Sequence, residues 1–207
     1  MGTGLNGSGK LPPDSDSDAT KDAAETAPPP QNVLELAASC VRFVGQKYNV
    51  ALDFTPETLP VVDQYVRDAQ KEIGARPETM AVLSATVGAY LGEVMRREFG
   101  AFWFAEGDYA AWRLYFTHVY LACNPLGMVL EALDPEEAEG WHAHFEIDPG
   151  DADVVAERLA KLPEVEAELF SMPTTRLEAL TVVFEALRAH MESQNTGDVR
   201  FGPDDYR

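Results

Sequence analysis

Residues 78–99 carry the pattern that most limits the fold. Met80, Leu83, Val87, Tyr90, Leu91 and Val94 recur at helical spacing, with Ala81, Ala85, Gly88 and Gly92 forming a second stripe of small residues. Glycine inside a helix costs up to about 1 kcal/mol relative to alanine. The usual compensation is close approach of another backbone. The stretch is therefore expected to be a helix from about Glu78 to Phe99 at the centre of the domain, crossed tightly by a neighbour. Gly100 is its natural stop.

Other helices are expected around it. Val33, Leu36, Ala37, Cys40, Val41, Val44 and Tyr48 form one face of a helix over 31–48. Thr55, Pro56 and Glu57 give a start signal for a second helix, whose inward face is Val62, Tyr65, Val66, Ala69 and Ile73. Gly74 and Pro77 end it. Asn124-Pro125 opens a short helix to about Leu133, and Asp134-Pro135 opens another to about Phe145. Asp151 or Asp153 caps a helix to about Leu162, with Val155, Leu159 and Leu162 inward. Thr174 or Thr175 caps the last helix, which presents Leu177, Leu180, Phe184, Leu187 and Met191.

The periodicity changes between these helices. Ala101–Ala105 and Trp112–Cys123 are rich in aromatic and β-branched residues and read as strands joined through Gly107-Asp108. In the second, Trp112, Leu114, Phe116, His118 and Tyr120 are expected on one face. Both faces carry aromatics, so the strand is expected to be covered on both sides. The fold class is α+β, mostly α: helices packed around the Gly/Ala-rich helix, with a small antiparallel β-element. Residues 1–30 are rich in Gly, Ser, Asp, Pro and Ala and are expected to be a disordered tail. Residues 31–193 are expected to form one globular domain, and residues 194–207 a frayed tail apart from Phe201 and Tyr206.

Charge narrows the function classes. The chain carries 35 acids against 16 bases, a net −19. Residues 1–30 hold five acids and two lysines, which is −3, so −16 belongs to residues 31–207. Such a surface repels nucleic-acid backbones and anionic lipid. It suits a basic protein partner. The N-terminus has no basic patch followed by an apolar run, and no stretch approaches the ~18 apolar residues of a membrane span. A cytoplasmic location follows as an expectation. Cys40 and Cys123 each lie in an apolar stretch and read as buried thiols, with a disulfide between them left open by the spacing.

Few constellations carry chemistry. Gly4-Leu5-Asn6-Gly7-Ser8-Gly9-Lys10 matches most of a phosphate-binding loop, but no strand precedes it, and Leu11 stands where the magnesium-binding hydroxyl belongs. His142, His144 and Glu146 are the best metal candidates. On a strand all three would share a face and could hold a divalent metal with a position open for water; on a helix they would not. Residues 131–153 contain nine acids and no Lys or Arg, which suits either cation binding or carboxylates serving helix starts. Cys123 with His118 is the least unfavourable nucleophilic pair. Glu93, beside the glycine stripe, needs a partner such as Arg113 or Arg96 if buried. The aromatic run from Phe99 to Tyr120 is expected in the core. Any exposed part of it, around Trp103, Tyr109 and Trp112 with Glu93 and Arg113, is the candidate binding surface.

Leu52-Asp53-Phe54-Thr55-Pro56-Glu57-Thr58-Leu59, Val87-Gly88-Ala89-Tyr90-Leu91-Gly92-Glu93-Val94 and Phe99-Gly100-Ala101-Phe102-Trp103 together resemble an uncharacterised bacterial family that pairs two helices with a following tryptophan strand. The resemblance covers residues 52–103 and implies an α+β domain; it brings no assigned activity and no catalytic residues. The expected function is an acidic, cytoplasmic protein–protein interaction or accessory module without catalytic activity or cofactor. The alternatives are a metal-dependent hydrolase built on His142, His144 and Glu146, and a small-molecule-binding domain lined by the aromatics.

Overall fold

The computed structural model describes residues 27–73, 77–163 and 165–206. Most of the expected N-terminal tail, including the Gly4–Lys10 motif, lies outside the described residues, as does Gly74. Helices α1 (Gln31–Tyr48), α2 (Leu59–Ile73) and α3 (Pro77–Phe99) precede strands β1 (Ala101–Phe104), β2 (Arg113–Phe116) and β3 (Leu121–Cys123). Helix α4 (Pro125–Leu133), strand β4 (Glu146–Ile147) and helices α5 (Ala152–Leu159), α6 (Ala167–Phe170) and α7 (Pro173–Ser193) follow. The four strands form an antiparallel sheet in sequence order. The chain is thus a mostly helical α+β fold.

Helix α3 is the centre, as its small-residue stripe requires. Residues 83–95 are buried without a break. A Cβ on Gly88 would collide with Leu126 Cα and lie 2.8 Å from Leu126 N and 2.9 Å from Pro125 O. The backbone of α4 crosses here because nothing larger than hydrogen stands in its way. A Cβ on Gly92 would overlap the Trp103 ring and lie 3.1 Å from Pro125 Cγ. The second glycine therefore makes room for the indole of β1. Helix α1 packs on another side of α3 through Val33, Ala37, Cys40 and Val44.

Several local expectations change. Thr55 starts a 3-10 turn at Pro56–Thr58 rather than capping an α-helix, and its own N–H and hydroxyl donate to Asp53 Oδ1. The single strand expected over 112–123 is two strands. Thr117 still pairs toward β1, its N–H and hydroxyl donating to Gly100 O, and the chain then turns before β3. The inward face then shifts phase. Trp112, Leu114 and Phe116 point inward, but Val119 and Leu121 are buried after the turn, not His118 and Tyr120.

The helix expected over 135–145 is a series of turns. Asp134 Oδ1 accepts from the N–H groups of Glu136 and Glu137, Gly140 and His142 adopt positive φ, and the chain then enters β4. Helix α5 ends at Leu159, so Leu162 is exposed rather than inward. Helix α7 starts at Pro173 with no cap from Thr174 or Thr175. Asp63 of α2 caps it instead, accepting from Thr174 N at 3.0 Å.

The C-terminal segment packs on the outer face of the sheet. Tyr206 is sandwiched between Tyr115 and Tyr120, with ring centroids at 4.4 and 4.8 Å. Its hydroxyl lies 2.6 Å from Phe116 O and 3.1 Å from Val119 O, and it accepts from Leu121 N at 3.2 Å. Phe201 N donates to Thr117 O at 2.8 Å. Phe201 and Tyr206, the two residues set apart from the frayed tail expected over 194–207, form a closed aromatic layer with Tyr115 and Tyr120. These groups satisfy the carbonyls left over at the β2–β3 turn.

Candidate functional site

Glu93 sits on α3 in the shelter that Gly92 creates, and its side chain is 1% exposed. Its carboxylate accepts from Arg96 Nε at 3.0 Å, Arg96 Nη2 at 3.2 Å and Trp103 Nε1 at 2.8 Å. Arg97 Nε lies 3.9 Å away. The i, i+3 and i, i+4 spacings put both arginines on the glutamate's face of the helix. A buried carboxylate with this many charge-assisted donors is a rigid hub. The hub joins the last turn of α3 to the first strand.

The aromatic candidates extend from this hub but do not form one surface. Trp103 meets Trp112 edge-on at 6.5 Å, and Trp112 meets Tyr109 edge-on at 4.9 Å. Trp103 and Trp112 belong to the core, and only Tyr109 reaches the surface. Arg113 leaves the group. Its Nη1 donates to Ala110 O at 2.8 Å and Trp112 O at 2.7 Å, and its Nε lies 3.7 Å from Glu146 Oε1. Glu93, Trp103 and Trp112 are thus a buried brace with Tyr109 at its exposed edge, and Arg113 stands apart from it.

His142, His144 and Glu146 separate in the same way. His142, in the left-handed region at φ 53°, hydrogen-bonds through Nδ1 to Glu146 Oε1. His144 Nε2 lies 3.7 Å from Glu131 Oε1, whose other oxygen accepts from Arg176 Nη2. The short turns of 138–145 give neither the period of a strand nor that of a helix, so the two imidazoles serve different carboxylates. Among the described residues no group of three or more His, Cys, Asp or Glu is placed to hold a metal ion.

The thiols are poorly suited to nucleophilic work. Both are free and buried. Burial pushes the Cys40 thiol up to about 12 and raises that of Cys123 well above its ordinary value. An activated thiol shifts the other way.

The acidic segment between α4 and α5 is held in place from beneath. A Cβ on Gly127 would lie 2.7 Å from Trp141 O, so α4 is packed directly against the segment's backbone. Asn124 N donates to His142 O at 3.3 Å, and β4 pairs with β3. Some of its carboxylates have internal tasks. Asp134 and Asp148 accept from turn amides, Glu131 pairs with Arg176, and Asp151 lies 3.5 Å from His190. Glu136, Glu137, Glu139 and Asp153 remain exposed and make no ion pair among the described residues.

Several structural partners left no signal in the sequence. Asp63 reaches Thr174 across 111 positions, and Arg176 is buried over the Phe170 ring at 4.4 Å. The helical pattern of 173–193 marks position 176 as one that faces a neighbour, but not as one that takes a charge inside. Compared with known proteins, the chain matches no family model, no curated protein and no solved structure.

Proposed function

We propose that the domain is an accessory binding module, without catalysis of its own, that docks a protein with a basic surface through residues 134–153. The observation that carries this reading is the exposed set Glu136, Glu137, Glu139 and Asp153, without ion pairs among the described residues, on a segment pinned by Trp141 and β4. Carboxylates left without cations inside the molecule stay available to cations outside it. A pinned segment also loses little conformational freedom on docking. Two free buried thiols fit the reducing conditions of a cytoplasm. Among the described residues, no helix is long and apolar enough to cross a membrane. The hydrolase reading has less behind it, because His142 and His144 turn to different carboxylates.

The test compares the native chain with a quadruple variant, E136Q/E137Q/E139Q/D153N, as baits in lysate. The expected result is a protein retained by the native chain, released by salt, and absent from the variant, since contacts between exposed charges are screened. Identical retained proteins on both baits would refute the assignment to this segment.

A further inference from the structure

We propose that the cleft between the C-terminal end of α3, the last turns of α7 and the C-terminal segment binds a small organic oxyanion: a carboxylate or phosphate ester carrying an apolar group. This site stands apart from the acidic segment and does not depend on it. The cleft measures about 570 Å³, within the range of small-molecule sites. Arg96 and Arg97 reach it from α3, Arg188 from α7 and Arg200 from the C-terminal segment, with His118 of the β2–β3 turn at its side.

Four guanidiniums in one concavity are a notable concentration in a chain with 35 acids and 16 bases. Two of them converge on a single acceptor. Arg188 Nη1 donates to Gly197 O at 2.8 Å, and Arg200 Nη1 to the same oxygen at 3.4 Å. Like charges brought together this way repel, and an anion between them removes the repulsion.

The arginines are held before any ligand arrives. Arg188 also reaches His118 O at 3.4 Å, and Arg200 reaches Val199 O at 3.1 Å. Carbonyl anchors fix a guanidinium without cancelling its charge. Arg96 is clamped by Glu93, and Arg97 stacks over the Phe54 ring at 4.2 Å. Such pre-ordering lowers the entropic cost of binding. Glu93, Glu98 in the lining and Glu192, at 3.6 Å from Arg188 Nη2, offset part of this positive charge.

The apolar part of the ligand rests on Phe99 and Phe184, which line the cleft with ring centroids 5.0 Å apart. A long polyanion is disfavoured, because its charges beyond the cleft would meet the acidic surface. A small anion inside meets the arginines first, since fields are screened over roughly 8–10 Å at cellular salt.

Calorimetric titration of the full chain tests this with phenyl phosphate, phenylacetate, inorganic phosphate and neutral benzyl alcohol at constant ionic strength. Phenyl phosphate or phenylacetate should saturate one site, and which of them binds tighter distinguishes phosphate from carboxylate chemistry. Benzyl alcohol should not bind. Arg200→Gln should weaken binding roughly tenfold, the effect of losing one charge-assisted contact. Arg158→Gln on exposed α5 should not. Arg97→Gln provides the same comparison if Arg200→Gln alters the circular dichroism spectrum. Absence of saturation by both aromatic anions up to about 5 mM, or equal affinity in all variants, would overturn the site. Inorganic phosphate binding as tightly as phenyl phosphate would overturn the apolar half of the assignment.

Discussion

Adding one methyl group at Gly88 tests the architecture directly. In a free helix Gly→Ala gains up to about 1 kcal/mol. Here the new Cβ would collide with Leu126 Cα and lie 2.8 Å from Leu126 N and 2.9 Å from Pro125 O. Those are backbone atoms of α4, with no rotamer to turn aside. Restoring ordinary contact near 3.5–4.0 Å requires α4 to retreat by roughly 1 Å along its crossing with α3. Overpacking of this kind costs about 1–3 kcal/mol, and a backbone neighbour puts Gly88→Ala at the upper end, about 3 kcal/mol. The helix gain reduces the net loss to about 2 kcal/mol, a fall in Tm of about 4–8 °C for a chain of this size. Gly45→Ala in α1 is the control. Its Cβ meets only Val50 O at 3.4 Å, so the helix-propensity gain should survive and raise stability by up to about 1 kcal/mol. Urea and thermal unfolding of both variants measure the difference. A Gly88→Ala protein as stable as the native chain would refute the close α3–α4 crossing.

Other substitutions probe the polar joints. Glu93→Ala leaves Arg96 and the Trp103 N–H without their acceptor inside the fold, and should cost about 3–5 kcal/mol in urea unfolding. Tyr206→Phe removes the partner of Leu121 N–H and of the Phe116 and Val119 carbonyls, for a loss of about 1–3 kcal/mol and faster proteolysis of the C-terminal segment. Burial raises the Asp63 carboxyl above the ordinary carboxylate range, outweighing the hydrogen bonds from Thr174. A raised acid pKa means the folded state binds the proton more readily than the unfolded chain does. Asp63 therefore lowers stability at neutral pH, and this penalty is relieved as pH falls through the raised value. Asp63→Asn keeps an oxygen for Thr174 N–H, so it should be at least as stable as the native chain near neutral pH, with its advantage shrinking in acid. A constant difference between the two across that range would contradict the shift.

The helices were legible where a face repeats over several turns. The inward residues of α1 and α3 follow their spacing, and Gly88 and Gly92 announced a close neighbour because a helix tolerates glycine poorly without one. Alternation over 112–123 does not show the turn after Thr117, whose carbonyls find partners far along the chain, Phe201 N at Thr117 O and the Tyr206 hydroxyl at Val119 O. The turns over 135–145 are not legible in the sequence, because Asp134-Pro135 starts a helix and a turn alike. The turns are held by contacts from outside the segment, Gly127 against Trp141, Asn124 N to His142 O and the pairing of β4 with β3.

Sequence alone determined the class of fold and its axis, because hydrophobic period and glycine placement act between residues a few positions apart. Tertiary structure decided where each polar side chain ends. Glu93 takes Arg96, one of the two partners its sequence allowed, and adds Trp103 rather than Arg113, Asp63 goes to the start of α7, and Arg188 and Arg200 meet at Gly197. Those choices depend on which buried donors and acceptors the packed elements leave unsatisfied, and that is settled only when distant segments come together.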